Sequence, residues 1–161
     1  MIFVTVGSQK FQFNRLLKAI DELCKKGQSK EEIFAQTGYS DYEPKQYSHK
    51  PFLNRKEFAE MMDKSDIVIT HGGTGAIITA VKRGKKVIAV PRLARYQEHV
   101  DDHQLQLLEQ FSEMNLIQVC LECDGLGEAI AEVRNRKFNS YTSNTEAIIG
   151  SIERFIESNA E

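Results

Sequence analysis

Residues 66–76 join an apolar run to a glycine-rich turn and then to a helical pattern, and this order of elements strongly constrains the fold. Residues 67–69 are all β-branched, as is typical of a strand buried in a parallel sheet. Three glycines follow within residues 72–75. Glycine permits positive φ and close approach of a ligand, and the free N–H groups at a helix N-terminus attract anions. The segment predicts a phosphate-binding loop, and the alternative is a tight turn with close helix packing.

Apolar strand-like runs alternate with helical patterns along the chain, which is typical of an α/β fold with a parallel sheet. The predicted strands span residues 2–6, 31–37, 66–70, 85–90 and 116–121. The predicted helices span residues 11–26, 55–64, 76–83, about 100–114, 126–135 and 144–158. Residues 38–53 are predicted to form a loop with short extended pieces. We therefore predict one Rossmann-like domain over residues 1–161, with helices on both faces of the sheet.

Length and charge exclude several classes of protein. A chain of 161 residues is predicted to form one domain that buries about 70% of its unfolded surface. The net charge of −2 disfavours a nucleic-acid binder, because affinity for a phosphate backbone requires clustered cations. No apolar run is long enough to cross a membrane, and the first apolar segment does not resemble a signal peptide. The sequence therefore predicts a cytoplasmic protein.

The glycine loop fits neither of two common nucleotide-binding patterns. In the dinucleotide pattern G-x-G-x-x-G, Gly73 and Gly75 fit the first two positions, but Ile78 occupies the third. The Walker pattern G-x-x-x-x-G-K-[ST] does not occur in the sequence. The sequence therefore disfavours NAD binding and P-loop hydrolysis. His71 and Thr74 add polar groups to the loop that packing alone does not require.

Two residue pairs raise the question of a metal or redox site. His99 and His103 would share one face of a helix, with Asp102 nearby. Val100 occupies the position of the glutamate in H-E-x-x-H, so helix capping or substrate hydrogen bonding is favoured over a metal. The single CxxC at residues 120–123 follows a strand-like run, so reduced thiols are favoured over a redox or zinc site. We predict no metal and no tightly bound cofactor.

Three polar segments follow predicted strands, and they span residues 6–9, 71–75 and 98–104. In open parallel sheets, ligands bind beyond the carboxyl ends of the strands, near the point where the strand order reverses. If the first strand lies beside the strand that precedes His71, the first two segments meet at one crevice. The third segment then reaches the rim of the same crevice.

The motifs of these segments resemble the C-terminal, donor-binding domain of family 28 glycosyltransferases, which have the GT-B fold. The resemblance rests on Gly-Ser-Gln after the first strand, on the strand-His-Gly-Gly-x-Gly-helix order, and on Asp-His-Gln after Pro91. It covers nearly the whole chain and implies one half of a GT-B fold. The HGGTGA and EHVDDHQ segments resemble bacterial capsule and exopolysaccharide transferases that occur as split pairs. In length, the chain resembles the soluble catalytic subunit of the two-component UDP-GlcNAc transferase of dolichol-linked glycan synthesis.

The resemblance implies a set of residues that bind a UDP-sugar. They come from the three polar segments and are Gly7, Ser8, Gln9, His71, Gly72, Gly73, Thr74, Gly75, Glu98, His99, Asp102, His103 and Gln104. In the family, the first segment lines the cleft near the donor diphosphate, the second binds the diphosphate, and the third contacts the donor sugar. Related enzymes often hold the ribose with a glutamate on the helix after the glycine loop. Thr79 stands at about that position here, so Glu98 or backbone groups are expected to hold the ribose.

The resemblance also implies a two-component, inverting enzyme with a UDP-sugar as donor substrate. In complete GT-B enzymes the general base comes mainly from the N-terminal domain, and the predicted single domain supplies only the donor half. We therefore expect a membrane-associated, acceptor-binding partner, a lipid-linked glycan acceptor, and a location at the cytoplasmic face of the membrane. The apolar stripe of predicted helix 144–158 is either a dock for that partner or part of this domain's core. The alternative function is a non-catalytic, nucleotide-sugar-binding accessory subunit.

Overall fold

Six parallel strands form one sheet in the computed structural model, which describes residues 1–7, 9–98 and 102–158. The strands are β1 Ile2–Thr5, β2 Ile33–Gln36, β3 Ser48–Lys50, β4 Ile67–Thr70, β5 Lys86–Ala89 and β6 Gln118–Val119. Their order across the sheet is β3-β2-β1-β4-β5-β6, and neighbouring strands run parallel throughout. The predicted parallel α/β sheet is therefore confirmed.

Six α-helices lie in the described parts of the chain; the first four fall between strands, and the last two follow β6. They are α1 Asn14–Lys25, α2 Arg55–Lys64, α3 Thr74–Lys82, α4 Asp102–Glu113, α5 Leu126–Asn135 and α6 Ser143–Ser158. Each lies where a helix is predicted, although α1 begins at Asn14 because residues 11–13 still belong to the loop after β1. The strand predicted at 116–121 is limited to β6, because only residues 118 and 119 pair with β5. β3 is one of the short extended pieces expected within residues 38–53.

Apolar side chains cover both faces of the sheet, as predicted. Every residue of β1 and of β4 is buried, which is typical of strands at the centre of a parallel sheet. Ile2 and Val4 pack with α1 and α5 on one face, whereas Phe3 and Val68 pack with α2, α3, α4 and α6 on the other. This alternation follows from the two-residue period of a strand. No helix of the described residues is both long and apolar enough to cross a bilayer.

The strand order reverses between β1 and β4. From β1 the chain adds β2 and β3 on one side, and it then returns to add β4, β5 and β6 on the other. β1 and β4 pair with Thr5 opposite Thr70, so the loops that follow them begin side by side. The backbone N–H of His71 donates to the Thr5 carbonyl at 3.3 Å, which joins the two loops at their start. The predicted crevice therefore lies at this switch point.

Helix α3, which follows the glycine loop, is closed by a glycine. Gly84 has φ +72°, and its N–H donates to the Val81 carbonyl at 3.0 Å. The N–H of Lys85 donates to the Ala80 carbonyl at 3.0 Å. These two bonds form the Schellman arrangement, in which a residue in the left-handed region closes the helix. Gly84 therefore ends the helix that faces the crevice.

Candidate functional site

A cleft of about 380 Å³ lies at the switch point between β1 and β4. It is lined by residues of the three predicted segments together with residues of α4 and α6, namely Gln9, His71, Gly73, Thr74, Gln104, Leu107, Glu153, Ile156 and Glu157. Its volume is within the range of small-molecule sites. Larger depressions, of about 490 and 530 Å³, lie at the C-terminal end of α3 and between α4 and α6. The cleft at the switch point is the one that agrees with the usual ligand position in open parallel sheets.

The imidazole ring of His71 lies between the backbones of two glycines of the cleft. A Cβ on Gly7 would lie 2.7 Å from Cε1 of His71, and a Cβ on Gly73 would lie 2.6 Å from Cε1 and from Nε2. Gly7 also has φ +77°, which L side chains rarely adopt. These two glycines are therefore required by the position of the His71 ring, in addition to any role toward a ligand.

The other two glycines of the loop have different reasons to be glycine. Gly72 has φ +94°, and a Cβ there would lie 3.0 Å from Cδ1 of Leu108. Gly75 lies in the first turn of α3, and no atom lies within 4 Å of the position of its Cβ. The interpretation as a tight, packed turn thus fits Gly72, whereas Gly75 is open to an approaching ligand.

Helix α3 presents an uncapped N-terminus to the cleft. Its N-cap residue is Gly73, and within the described chain no side-chain cap accepts a hydrogen bond from its first N–H groups. Thr74, the first helical residue, lines the cleft. The first N–H groups of a helix have no partner within the helix, and they carry a partial positive charge. The arrangement can hold an anion such as a phosphate.

His71 is buried and uncharged at neutral pH. Burial and, to a smaller extent, the positive charge of Arg92 together lower the pKa of His71 to about 4, against a hydrogen bond with Thr5 that raises it. Nδ1 lies 3.3 Å from the Thr5 carbonyl oxygen and 3.3 Å from Oγ1 of Thr70. A carbonyl oxygen can only accept, so Nδ1 carries the proton and Nε2 is left without one.

Gln104 in the first turn of α4 holds the glycine loop from the opposite side of the cleft. Its Nε2 donates to the Gly72 carbonyl at 3.0 Å. Asp102 and His103 begin the same helix, so the third predicted segment is at the cleft through its helix start. Ser8 and His99 lie outside the described residues. The ligand roles of these residues, like those of the other predicted site residues, stay predictions.

Glu98 lies inside the protein, whereas the sequence places it at the open rim. Its side chain is 1% exposed. Nε and Nη2 of Arg15 donate to its two carboxylate oxygens at 3.0 and 3.1 Å, and the N–H of Leu93 donates at 3.0 Å. Both oxygens are thus occupied in closing loop 91–98 against α1. The contacts of Glu98 do not support the interpretation that it holds a ribose.

Thr79 offers no free hydroxyl proton on α3, because its Oγ1 donates to the Gly75 carbonyl at 2.8 Å.

The CxxC cysteines are free thiols. Burial raises the pKa of Cys123 to about 11, and Nη1 of Arg15 donates to its sulfur at 3.2 Å. Within the described ranges, no three His, Cys, Asp or Glu side chains lie close enough to hold a metal ion.

Sequence reasoning missed three polar residues of the site. Arg92 is 1% exposed and lies beneath the loop after β1, and Glu153 and Glu157 line the cleft from α6. Arg92 directly follows Pro91 beyond β5, so its position at the carboxyl edge of the sheet was a usable signal. The two glutamates are one helical turn apart, but the sequence does not indicate that α6 crosses this edge.

The fold and the cleft define a Rossmann-like α/β domain whose candidate ligand site combines a glycine loop with a helix N-terminus. The model of the glycosyltransferase family 28 C-terminal domain matches residues 1–158. The chain therefore belongs to this family of glycosyltransferase domains, which confirms the resemblance and the half-GT-B fold expected from the motifs.

Known proteins are similar to this chain in sequence or in fold. The human UDP-N-acetylglucosamine transferase subunit ALG13 is 25% identical over 92% of this chain, which spans only 14% of that protein. The NMR structure of ALG13 is similar with a TM-score of 0.64 and 18% identity, covering 97% of this chain and 96% of that one. UDP-GlcNAc 2-epimerase from Neisseria meningitidis, solved with UDP-GlcNAc bound, has a TM-score of 0.56 and 14% identity, covering 98% and 42% of the two chains.

The glycines of the loop give a matched pair of stability tests. Gly73→Ala should lower the free energy of unfolding by about 1–3 kcal/mol, because its Cβ overlaps the His71 ring. Gly75→Ala should keep or raise stability by up to about 1 kcal/mol, since its Cβ meets open space in a helix. Urea denaturation of both variants measures the difference, and equal stabilities would contradict the packing of His71 between the glycines.

Acid should destabilise the protein through His71. The folded-state pKa of about 4 is below the ordinary 6.5, so the unfolded chain takes up the proton first as the pH falls. The stability contributed by neutral His71 is complete above about pH 6.5 and is lost toward pH 4, by up to about 3 kcal/mol.

Urea denaturation at pH 7, 5.5 and 4.5 measures this loss, and His71→Asn should show a flatter dependence of stability on pH than the wild type. His49→Asn, on the edge strand β3, is the control and should keep the wild-type slope. Identical slopes for the wild type and His71→Asn would show that His71 is not a buried neutral group.

Proposed function

We propose that this chain is the catalytic, donor-binding subunit of a two-component inverting glycosyltransferase. It would move a sugar from a UDP-sugar to a lipid-linked acceptor at the cytoplasmic face of a membrane. The observation that carries the proposal is the uncapped N-terminus of α3, which faces the cleft at the switch point through Gly73 and Thr74. The name of the human relative, a UDP-N-acetylglucosamine transferase subunit, supports a UDP-sugar and an assembly with another chain.

The geometry supports a role in stabilising a departing diphosphate. Glycosyl transfer from a UDP-sugar develops negative charge on the diphosphate, and N–H donors that are already in place lower the barrier electrostatically. In this cleft those donors are the first N–H groups of α3, with the hydroxyl of Thr74 beside them. Neutral His71 adds no charge of its own before the ligand binds.

We propose that a partner subunit supplies the acceptor site and the general base. An inverting transfer needs a general base for the acceptor hydroxyl, and the groups lining the cleft that can accept a proton are His71, Glu153 and Glu157. His71 is held between two glycines, and the two glutamates belong to the terminal helix. We therefore place the base on a membrane-associated subunit that also binds the lipid-linked acceptor.

Helix α6 is proposed to face this partner with part of its apolar stripe. Ile149 and Ile156 are buried against the domain, whereas Ile148 is 40% and Phe155 is 69% exposed. The stripe seen in the sequence therefore divides between the domain's own core and an outward surface. The outward surface is the part that remains for docking.

Titration calorimetry with UDP and UDP-sugars tests donor binding. Gly75→Val should weaken UDP binding by about tenfold or more, because its side chain fills the open space before the helix N-terminus. Gly150→Val is the matched control, since Gly150 is also helical but lies on α6 beside Arg154, and UDP affinity should stay within about twofold. Absence of UDP binding by the wild type would reject the proposal.

A transfer assay separates a catalytic from an accessory subunit. Membranes that contain the partner and acceptor should transfer labelled sugar only when the purified chain is added, and Gly75→Val should lower the rate in proportion to its weaker donor binding. If Gly75→Val supports transfer as well as the wild type, the donor is bound elsewhere and the chain is an accessory subunit. Full activity without any membrane partner would contradict the two-component proposal.

A further inference from the structure

Arg92 is buried beneath the first loop of the cleft and is bonded to both ends of it. The side chain is 1% exposed and follows β5 at the carboxyl edge of the sheet. Its Nη2 donates to the Val6 carbonyl at 3.0 Å and to the Phe11 carbonyl at 3.1 Å. These two bonds bracket residues 7–10, which include Gln9 at the cleft. Arg92 thus fixes where this loop begins and ends.

The charge of Arg92 has no carboxylate partner among the described residues. Glu98 is the acidic group whose charge acts on Arg92, but Arg15 and Leu93 already occupy its oxygens. In the described parts of the chain, no acceptor lies within hydrogen-bond distance of Nε or Nη1 of Arg92. The Phe13 ring, with its centroid 5.3 Å from Cζ, is the other contact that favours the cation.

Holding the two ends of the loop after β1 does not require a buried, charged side chain. Two carbonyl oxygens can be held by a neutral donor such as an amide, whereas an unpaired buried cation carries a desolvation penalty. An anion bound nearby would compensate the charge. The charge is also felt at the cleft, since Arg92 lowers the pKa of His71. His71 itself is neutral, so Arg92 is a permanent positive charge that acts on the start of the glycine loop.

We propose that Arg92 is a positioning residue for the donor diphosphate, which it attracts by its uncompensated charge while its two hydrogen bonds hold the first loop at the cleft. This inference rests on the proposed function, because it assigns the anion to the diphosphate of the donor. Arg92 does not line the cleft. Its charge therefore acts across the loop, on the same phosphates that the N-terminus of α3 is proposed to bind.

The test compares UDP, UMP and uridine on the wild type, Arg92→Gln and Arg92→Lys. Arg92→Gln should weaken UDP binding on the order of tenfold, UMP binding less, and uridine binding little, because the lost attraction scales with ligand charge. Arg92→Lys keeps the charge and should stay within about threefold of the wild type for UDP. Arg83→Gln is the control for net charge, since Arg83 pairs with Asp63 at the far end of α3.

NMR titration of the His71 ring gives a second readout, the pKa of His71. This pKa would not change if Arg92 only held the loop in place by its hydrogen bonds. Among the described residues, the charged groups that face His71 are Arg92 and, in the lining of the same cleft, Glu153 and Glu157. Removing the positive charge in Arg92→Gln should raise the pKa of His71 above about 4, whereas Arg92→Lys and Arg83→Gln should leave it near the wild-type value.

The outcomes separate this inference from the proposed function. If the wild type does not bind UDP, both fail. If the wild type binds UDP and Arg92→Gln binds it equally well, or loses UDP, UMP and uridine alike, the inference alone is overturned. Should Arg92→Gln not fold, a loss of tenfold or more in UDP affinity by folded Arg92→Lys would contradict the proposal, and wild-type-like affinity would support it.

Discussion

The site depends on how the His71 ring packs between the backbones of Gly7 and Gly73. β1 and β4 lie side by side with Thr5 opposite Thr70, so the loops after them start at the same level. His71 from one loop then fills the space that the glycines of both loops leave open. Any side chain at either glycine would displace the ring, and the N-terminus of α3 begins directly after it. The ring therefore sets the distance between the two loops that bound the cleft.

A second set of contacts supports this arrangement from below. Arg15 and Glu98 form a largely buried ion pair that closes loop 91–98 against α1, with side chains that are 15% and 1% exposed. Arg92, in the same loop, reaches the carbonyls at both ends of the loop after β1. Two loops, one after β1 and one after β5, are thus held by charged groups that do not line the cleft. The cleft itself keeps backbone N–H groups and a neutral imidazole toward a ligand.

The elements of the fold were predictable because the pattern that defines them is local. Alternating β-branched runs and helical spacing give the strands and helices, and Gly84 marks a helix end through its own φ. The glycine loop was also predictable as a ligand loop, but the separate role of each glycine within it was not. Whether a glycine serves a neighbouring ring, as Gly73 does, or an open approach, as Gly75 does, depends on contacts between distant segments. The same reason explains why Glu98 was placed at the rim and why Arg92 was missed.

The most direct test of the account is to map UDP binding on the isolated chain by amide NMR. If the glycine loop and the helix N-terminus hold the diphosphate, the largest shifts should occur at the amides of residues 72–76 and of Gly7, with smaller shifts at the start of α4. Shifts confined to the depression at the C-terminal end of α3, or no saturable shifts, would contradict the central claim that the switch-point cleft is the donor site.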